Sequence, residues 1–191
     1  RGGGDLLGGE QSGTVASVGF ELFCEMLEDA VHELRGEAVV HEVDPELSVD
    51  VEALIPESYV AEVGVRLSLY KRLASAVDEA HVDELAQEME DRFGAPPAET
   101  RRLVRLMALK TELRRLRVLG CEASSRQVTL HLREDTTLDP RKVTELVREK
   151  KSPYRLTPDM RLSRRFEGER GGLENLEAML TELAKTARAH G

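Results

Sequence analysis

The spacing of apolar residues predicts a chain that is mostly helical. Apolar side chains that recur three and four positions apart form one stripe of an amphipathic helix. The predicted helices cover residues 14–34, 60–77, 79–93, 98–118, 140–150 and 173–187. Gly36 stands where the first of these helices is expected to end, and Gly94 and the pair Pro96–Pro97 stand where the helix 79–93 is expected to end, since glycine and proline favour helix C-termini.

Alternating apolar and polar residues predict a few short strands between the helices. Val128, Leu130 and Leu132 alternate with polar residues, as in a strand that is buried on one face. Residues 38–54, with a turn at Asp44–Pro45, and residues around 154–166 also favour extended backbone. The pattern predicts an α+β fold, in which a helix-rich domain surrounds a small, mostly antiparallel sheet.

The predicted domain is preceded by two other segments. Residues 1–13 are rich in glycine and predict a loop, and residues 14–37 predict a long linking helix, so the domain itself is assigned to residues 38–191. The chain begins without a methionine and without the charged-then-apolar pattern of a secretion signal. We therefore expect it to be a piece of a longer polypeptide.

Composition excludes several classes of protein. The chain has 191 residues, of which 40% are hydrophobic, so it can bury a core. No apolar run approaches the ~18 residues that a membrane span requires, and we expect no membrane partner. Cys24 and Cys121 are far apart and have no metal-type spacing, which favours a reducing, cytoplasmic location.

The charges of the chain are unevenly distributed. The net charge is -9, but it is -17 over residues 1–100, +9 over residues 101–170 and -1 over residues 171–191. Such a division can steer a basic partner to one side of a protein and an acidic partner to the other. Alternatively, the two halves face each other or water.

No motif in the sequence predicts catalysis. A phosphate-binding loop is absent, the five histidines are scattered, and no serine or cysteine has the setting of a nucleophile. Residues 78–81 spell the letters DEAH of a helicase box, but they follow a predicted helix and not the buried strand that such a box needs. We expect no catalytic residue, no metal site and no cofactor in this chain, and therefore no enzyme activity of its own.

Two charged surfaces are candidates for binding. Glu84, Glu88 and Asp91 fall on one face of the helix 79–93, turned away from its apolar stripe. They are either a solvated face or a docking surface for arginine or lysine of another domain. The arginine-coated helix 98–118 and the basic stretch 101–170 leave a DNA-binding module as the alternative function.

Several segments of the chain are similar to known bacterial proteins. The opening RGGGDLLGGEQSG resembles the loop R-G-x-G-x-L-L-G-x-x-Q-S-G of double-stranded DNA translocases, which branch-migration helicases share with transcription-repair coupling factors. The segments VGFELF (18–23), IPESYV (55–60), RLSLYKRLA (66–74) and DRFG (91–94) are similar to the second family only. The chain is thus identified as a member of the transcription-repair coupling factors, although beyond residue 97 only the order of elements agrees.

The resemblance implies that the chain is the end of a larger motor. Residues 1–13 would be the tail of the translocation motif, in which Arg1 and Gln11 match the functional arginine and glutamine. Departures from the usual loop are Gly3, where alanine is common, and Gly9, where an acidic residue is usual. ATP, magnesium and double-stranded DNA would bind in the motor and not in this chain.

The remainder would be the family's C-terminal regulatory domain. In the family this domain packs on an N-terminal UvrB-like module, masks the surface that recruits UvrA, and restrains the motor until it meets stalled RNA polymerase. The family's acidic contact pair falls on Glu88 and Asp91, and Glu84 lies beside them. We expect these carboxylates to be exposed and to have no cationic partner within the chain.

Overall fold

The computed structural model describes residues 44–186. The predicted loop 1–13, with Arg1 and Gln11, and the predicted helix 14–37 lie outside the described residues. Within the described part of the chain there are five helices, at or near positions that the apolar stripes predict. They are α1 (Val63–Ala74), α2 (Glu79–Phe93), α3 (Ala98–Arg115), α4 (Pro140–Arg148) and α5 (Gly172–Ala184).

The described strands form a single five-stranded sheet in the order β1-β2-β3-β5-β4. They are β1 (Glu46–Val49), β2 (Val118–Ala123), β3 (Gln127–Leu132), β4 (Tyr154–Leu156) and β5 (Arg161–Arg165). β1 pairs with β2 in parallel, and the other three pairs are antiparallel. The predicted α+β fold with a mostly antiparallel sheet is therefore confirmed.

The strand β2 was not predicted from the sequence. The pattern predicted that the helix before it continues to residue 118, but α3 ends at Arg115 and β2 begins at Val118. Arg117 has a φ of 56°, a left-handed conformation that ends the helical path and turns the chain into the sheet. A register irregularity between Val118 and Gly120 then interrupts the alternation on which a strand prediction depends.

The core lies between one face of the sheet and the helices. Alternate strand residues point into it, including Val128, Leu130 and Leu162, which are fully buried. The apolar stripes of α2, α3 and α5 correctly predicted these buried residues: Val82, Leu85, Met89, Leu103, Leu106, Leu113, Leu173, Leu176, Leu180 and Leu183, with Leu116 buried directly after α3. The stripe predicted for residues 60–77 is wrong for Val63, Leu67 and Val77, which are exposed, because α1 buries Leu69 and Leu73 instead. Burial of apolar side chains at about 25 cal/mol per Å² is the main stabilising contribution to such a core.

Helix α5 packs against this inner face of the sheet. Tyr154 on β4 and Arg164 on β5 face each other across the strands, and both bind Glu182 of α5. At the other end of the helix, an added Cβ on Gly172 would meet the carbonyl oxygen of Ala123 at 2.5 Å. Only glycine permits so close an approach, so the position of α5 over the sheet is tightly defined.

Candidate docking surface on helix α2

Helix α2 is fixed at both ends by its own residues. The side chain of Asp78 accepts a hydrogen bond of 2.9 Å from the backbone N–H of His81, which caps the N-terminus. At the C-terminus Gly94 adopts a φ of 83° and its N–H bonds the carbonyl of Glu90, as is common where a helix ends in glycine. The helix therefore begins and ends where the sequence predicts.

An aromatic contact ties the last turn of α2 to the loop before α1. The hydroxyl of Tyr59 lies 2.8 Å from the carbonyl oxygen of Gly94 and 3.1 Å from that of Met89. Its ring packs edge-on against Phe93, with 5.9 Å between the ring centroids, which is a favourable geometry for an aromatic pair. This contact holds the C-terminal half of α2, which carries Glu88 and Asp91, in one position.

The acidic residues lie on the side of α2 that faces away from the core. Glu84 and Asp91 are exposed, while Val82, Leu85 and Met89 are buried on the opposite side. The orientation of this face agrees with the spacing of these residues in the sequence. We call Glu84, Glu88 and Asp91 the acidic face of α2.

The expectation that all three carboxylates lack a cationic partner is wrong for Glu88. Two guanidinium nitrogens of Arg72, in the last turn of α1, donate to its two carboxylate oxygens over 2.9 and 2.5 Å. Arg92, four residues along the same helix, donates to Oε1 over 2.7 Å. The sequence did not reveal Arg72 as a partner because it is 16 positions away and belongs to another helix.

The two arginines determine the charge state of Glu88. Their hydrogen bonds and positive charges favour the ionised carboxylate and lower its pKa from 4.5 to about 2. Glu88 therefore stays negative at neutral pH, but the group of three side chains carries one net positive charge. We call Arg72, Glu88 and Arg92 the arginine clasp.

Glu84 and Asp91 differ from Glu88 in their partners. Asp91 accepts a hydrogen bond of 2.9 Å from the neutral amide of Gln87. Among residues 44–186, neither Glu84 nor Asp91 has an ion pair. These two carboxylates are the part of the acidic face that is available to a cation from outside the described chain.

The arginine-coated helix α3 is neutralised internally to a large extent. Arg114 and Lys110 both bind Asp44, and Arg114 also donates to the carbonyls of Ala74 and Ala76. Further contacts join this helix to acidic residues or to backbone carbonyls: Arg101–Pro96, Arg102–Glu52, Arg105–Glu177 and Arg115–Glu112. Among the described residues, most cations of α3 are therefore engaged within the chain, which disfavours a phosphate-binding surface on this helix.

The buried reactive groups serve the core. Cys121 points into the core from β2, and burial raises the pKa of its thiol to about 12 because it disfavours the charged form. The hydroxyl of Tyr154 donates to Glu182, and burial also raises the pKa of this tyrosine.

Residues 44–186 contain no cluster of three His, Cys, Asp or Glu side chains that could hold a metal ion. No helix in the same range is both long and apolar enough to span a membrane.

Comparison with known proteins gives a consistent result. Residues 49–143 match the family model of the TRCF domain. The transcription-repair-coupling factor of Myxococcus xanthus is 41% identical over 85% of this chain. Those of Haemophilus influenzae and Escherichia coli are 36% and 32% identical over 81% and 85% of it. The chain spans about 14% of the length of these relatives.

A solved structure has the same fold. It is described as "Crystal structure of C-terminal domain of transcription-repair coupling factor", and it superposes with a TM-score of 0.60. The match covers 76% of this chain and 96% of that one at 18% sequence identity, so it shows only that the two folds are similar. The chain therefore belongs to the transcription-repair coupling factor family, and its fold is that of the family's C-terminal domain.

Proposed function

We propose that this chain is the regulatory domain of a larger, ATP-dependent DNA translocase and has no activity of its own. In this proposal the acidic face of α2 docks on the N-terminal UvrB-like module of the same protein, and the docked domain masks the surface that recruits UvrA. The observation that carries the proposal is the exposure of Glu84 and Asp91 without a cationic partner among the described residues. The rigid setting of α2 supports it further.

The three carboxylates of the acidic face have different roles in this proposal. Glu88 already binds two guanidinium groups, so an arginine from the partner would approach a clasp that is net positive. Neither Asp91 nor Glu84 has an ion pair among the described residues. In this proposal they therefore accept hydrogen bonds from the cations of the partner. Arg72 and Arg92 then offer donors to a carboxylate of the partner, which fixes the orientation of docking.

A surface of this kind makes a reversible lock. Hydrogen bonds to charged groups contribute about 1.5–3 kcal/mol each, so two or three of them hold the domain weakly. An encounter with stalled RNA polymerase that favours the undocked state can then release it. Arg1 and Gln11 remain predicted members of the translocation motif, which would couple ATP-driven closure of the motor lobes to stepping along DNA, with ATP and magnesium bound in the motor.

A binding titration tests the proposal. The isolated N-terminal module of a transcription-repair coupling factor is titrated with this chain at low salt, and again with the variant Glu84→Gln, Asp91→Asn. We expect the variant to bind at least about tenfold more weakly, since each lost charge-assisted hydrogen bond contributes about 1.5–3 kcal/mol.

A matched variant controls for net charge. Asp83→Asn with Glu90→Gln removes the same two charges from α2 but outside the acidic face, and it should bind like the unchanged chain. Equal weakening by both variants would mean that overall charge and not this face drives docking. Absence of any binding by the unchanged chain would contradict the proposed function itself.

A further inference from the structure

A second charged surface lies on the face of the sheet opposite to α5. The register of the strands brings Gln127, Thr129 and His131 of β3 beside Arg165, Ser163 and Arg161 of β5, and Arg155 of β4 beside Ser163. These residues alternate with the buried ones, so they point away from the inner face that α5 covers. We call these seven residues of β3, β4 and β5 the outer sheet face: Gln127, Thr129, His131, Arg155, Arg161, Ser163 and Arg165. Glu122 of β2 lies beside Thr129 on the same side of the sheet, so this face ends in a carboxylate toward β2.

The arginines of the outer sheet face are paired less than those of α3. Arg155 and Arg165 are exposed, and neither side chain has an ion pair or a hydrogen bond among the described residues. Arg161 contacts Asp159 at 3.1 Å and Glu122 at 3.7 Å but remains 45% exposed. Arg126, in the turn before β3, adds an exposed cation at the rim. The unneutralised positive charge of the basic stretch therefore includes a cluster on this face.

The spacing of these groups suits a row of phosphates. Arg155 lies opposite Ser163 and is diagonal to both Arg161 and Arg165. Diagonal residues on one face of a sheet are about 7–8 Å apart. Ser163 lies between Arg161 and Arg165 and donates weakly to the carbonyl of Arg155 over 3.4 Å. Thr129 lies beside Ser163 on β3 and accepts from Gln127, so its own hydroxyl proton can still be donated. Arginine, serine, threonine and glutamine side chains are the usual donors to phosphate and sugar oxygens in DNA complexes.

We propose that the outer sheet face binds the sugar-phosphate backbone of duplex DNA. The face offers guanidinium and hydroxyl donors, and it carries no Phe, Tyr or Trp on which the bases of a single strand could stack. Its contacts are therefore with the backbone and independent of sequence. The proposal differs from a DNA site on the arginine-coated helix, because the cations of α3 are already bound to carboxylates and carbonyls. It also stands independently of the docking role of α2.

Fluorescence anisotropy tests the proposal: the whole 191-residue chain is titrated into a labelled DNA duplex of about 25 base pairs. Measurements near 0.1 M salt limit the effect of distant charges, because the Debye length is then about 10 Å. The variant Arg155→Gln, Arg165→Gln should bind at least about tenfold more weakly. The slope of log affinity against log salt should fall by about 2, or about one unit for each arginine removed.

A variant of α3 provides the matched control. Arg105→Gln with Arg115→Gln removes the same two charges from exposed side chains that are bound to Glu177 and Glu112. Its affinity for the duplex should stay within about threefold of the unchanged chain, with an almost unchanged salt slope. Far-ultraviolet circular dichroism of both variants verifies that they are folded.

Four outcomes would overturn the proposal. They are equal weakening by both variants, absence of binding by the unchanged chain, tighter binding of a single strand of the same length, and displacement of the duplex by poly-glutamate as readily as by unlabelled duplex. The last of these would assign the face to an acidic protein partner. None of them bears on the titration with the N-terminal module, so the two proposals fail separately.

Discussion

The neighbouring helices α2 and α3 carry charges of opposite sign but use them differently. On α3, Lys110 and Arg114 bind Asp44, Arg105 binds Glu177, and most other cations also have a partner within the described chain. On α2, only Glu88 of the acidic face is held by arginines, and Glu84 and Asp91 are not. A run of like charges in a sequence therefore does not by itself indicate a free surface.

The difference follows from the positions of the two helices. α3 contacts α1, α2, α5 and β2, so several elements bring carboxylates and carbonyls to its sides. α2 contacts α1 and α3 and leaves one side to solvent. A charge near other elements must be paired, because burying it without a partner is costly, whereas a charge on an open side need not be.

The largest effect on the stability of the fold is expected where α3 contacts Asp44, just before β1. Asp44→Asn leaves two cations without their carboxylate, and the side chains of Lys110 and Arg114 are only 11% and 20% exposed. We expect a loss of about 2–3 kcal/mol in the free energy of unfolding, which is less than the value of about 3–5 kcal/mol for a fully buried ion pair, because Asp44 itself is 34% exposed. Urea unfolding followed by circular dichroism measures it.

The exposed pair on the same helix is the control for that prediction. Glu112→Gln removes the partner of Arg115, whose side chain is 55% exposed. Because exposed ion pairs are well screened by water, this variant should change the free energy of unfolding by about 0.5 kcal/mol or less. Similar losses for the two variants would contradict the view that the internal network of α3, and not charge pairing in general, stabilises the fold.

An intermediate effect on the stability of the fold is expected from a substitution in the arginine clasp. The folded pKa of Glu88 lies near 2, below its ordinary value of 4.5. Its contribution to stability is therefore present above the ordinary pKa and is lost as the pH falls toward the folded pKa. The thermal midpoint of Glu88→Gln should lie below that of the unchanged chain near neutral pH. The two midpoints should converge in acid.

A double-mutant cycle with Arg72→Gln identifies the source of that effect. If Arg72 and Glu88 stabilise each other, the double variant should lose less free energy of unfolding than the sum of the losses in the two single variants. Additive losses, or a difference between the midpoints that persists at low pH, would mean that the clasp does not join α1 to α2.

The smallest effect on folding is expected from the remaining acidic residues of α2. Glu84→Gln with Asp91→Asn breaks no ion pair within the described chain, and Asp91 loses only a contact with the neutral amide of Gln87. For such surface changes the free energy of unfolding should stay within about 0.5 kcal/mol of its original value. A larger loss in urea unfolding would show that these carboxylates stabilise the domain. Their exposure would then no longer favour a role in docking.

Sequence patterns predicted local features better than distant contacts. The bounds of α2 followed from its apolar stripe and from Gly94, and the inward residues of β3 followed from simple alternation. β2 was missed, because the residues VLGCEA follow a helical stripe directly and contain a register irregularity. The link between Arg72 and Glu88 was missed because residues on separate helices have no fixed spacing in a sequence. The pair of Glu88 with Arg92 lies four positions apart on one helix, which is a spacing that the sequence does show.

The sequence by itself determined which faces of α2, α3 and α5 are apolar, where most helices begin and end, the α+β class and the family. These properties depend on neighbours within a few residues, where backbone geometry fixes the side of each side chain. The tertiary structure alone decided which charges are free. Ion pairs join residues that are distant in the chain, and only packing brought Asp44 to α3, brought Arg72 to Glu88, and left Asp91 and Arg155 open to solvent.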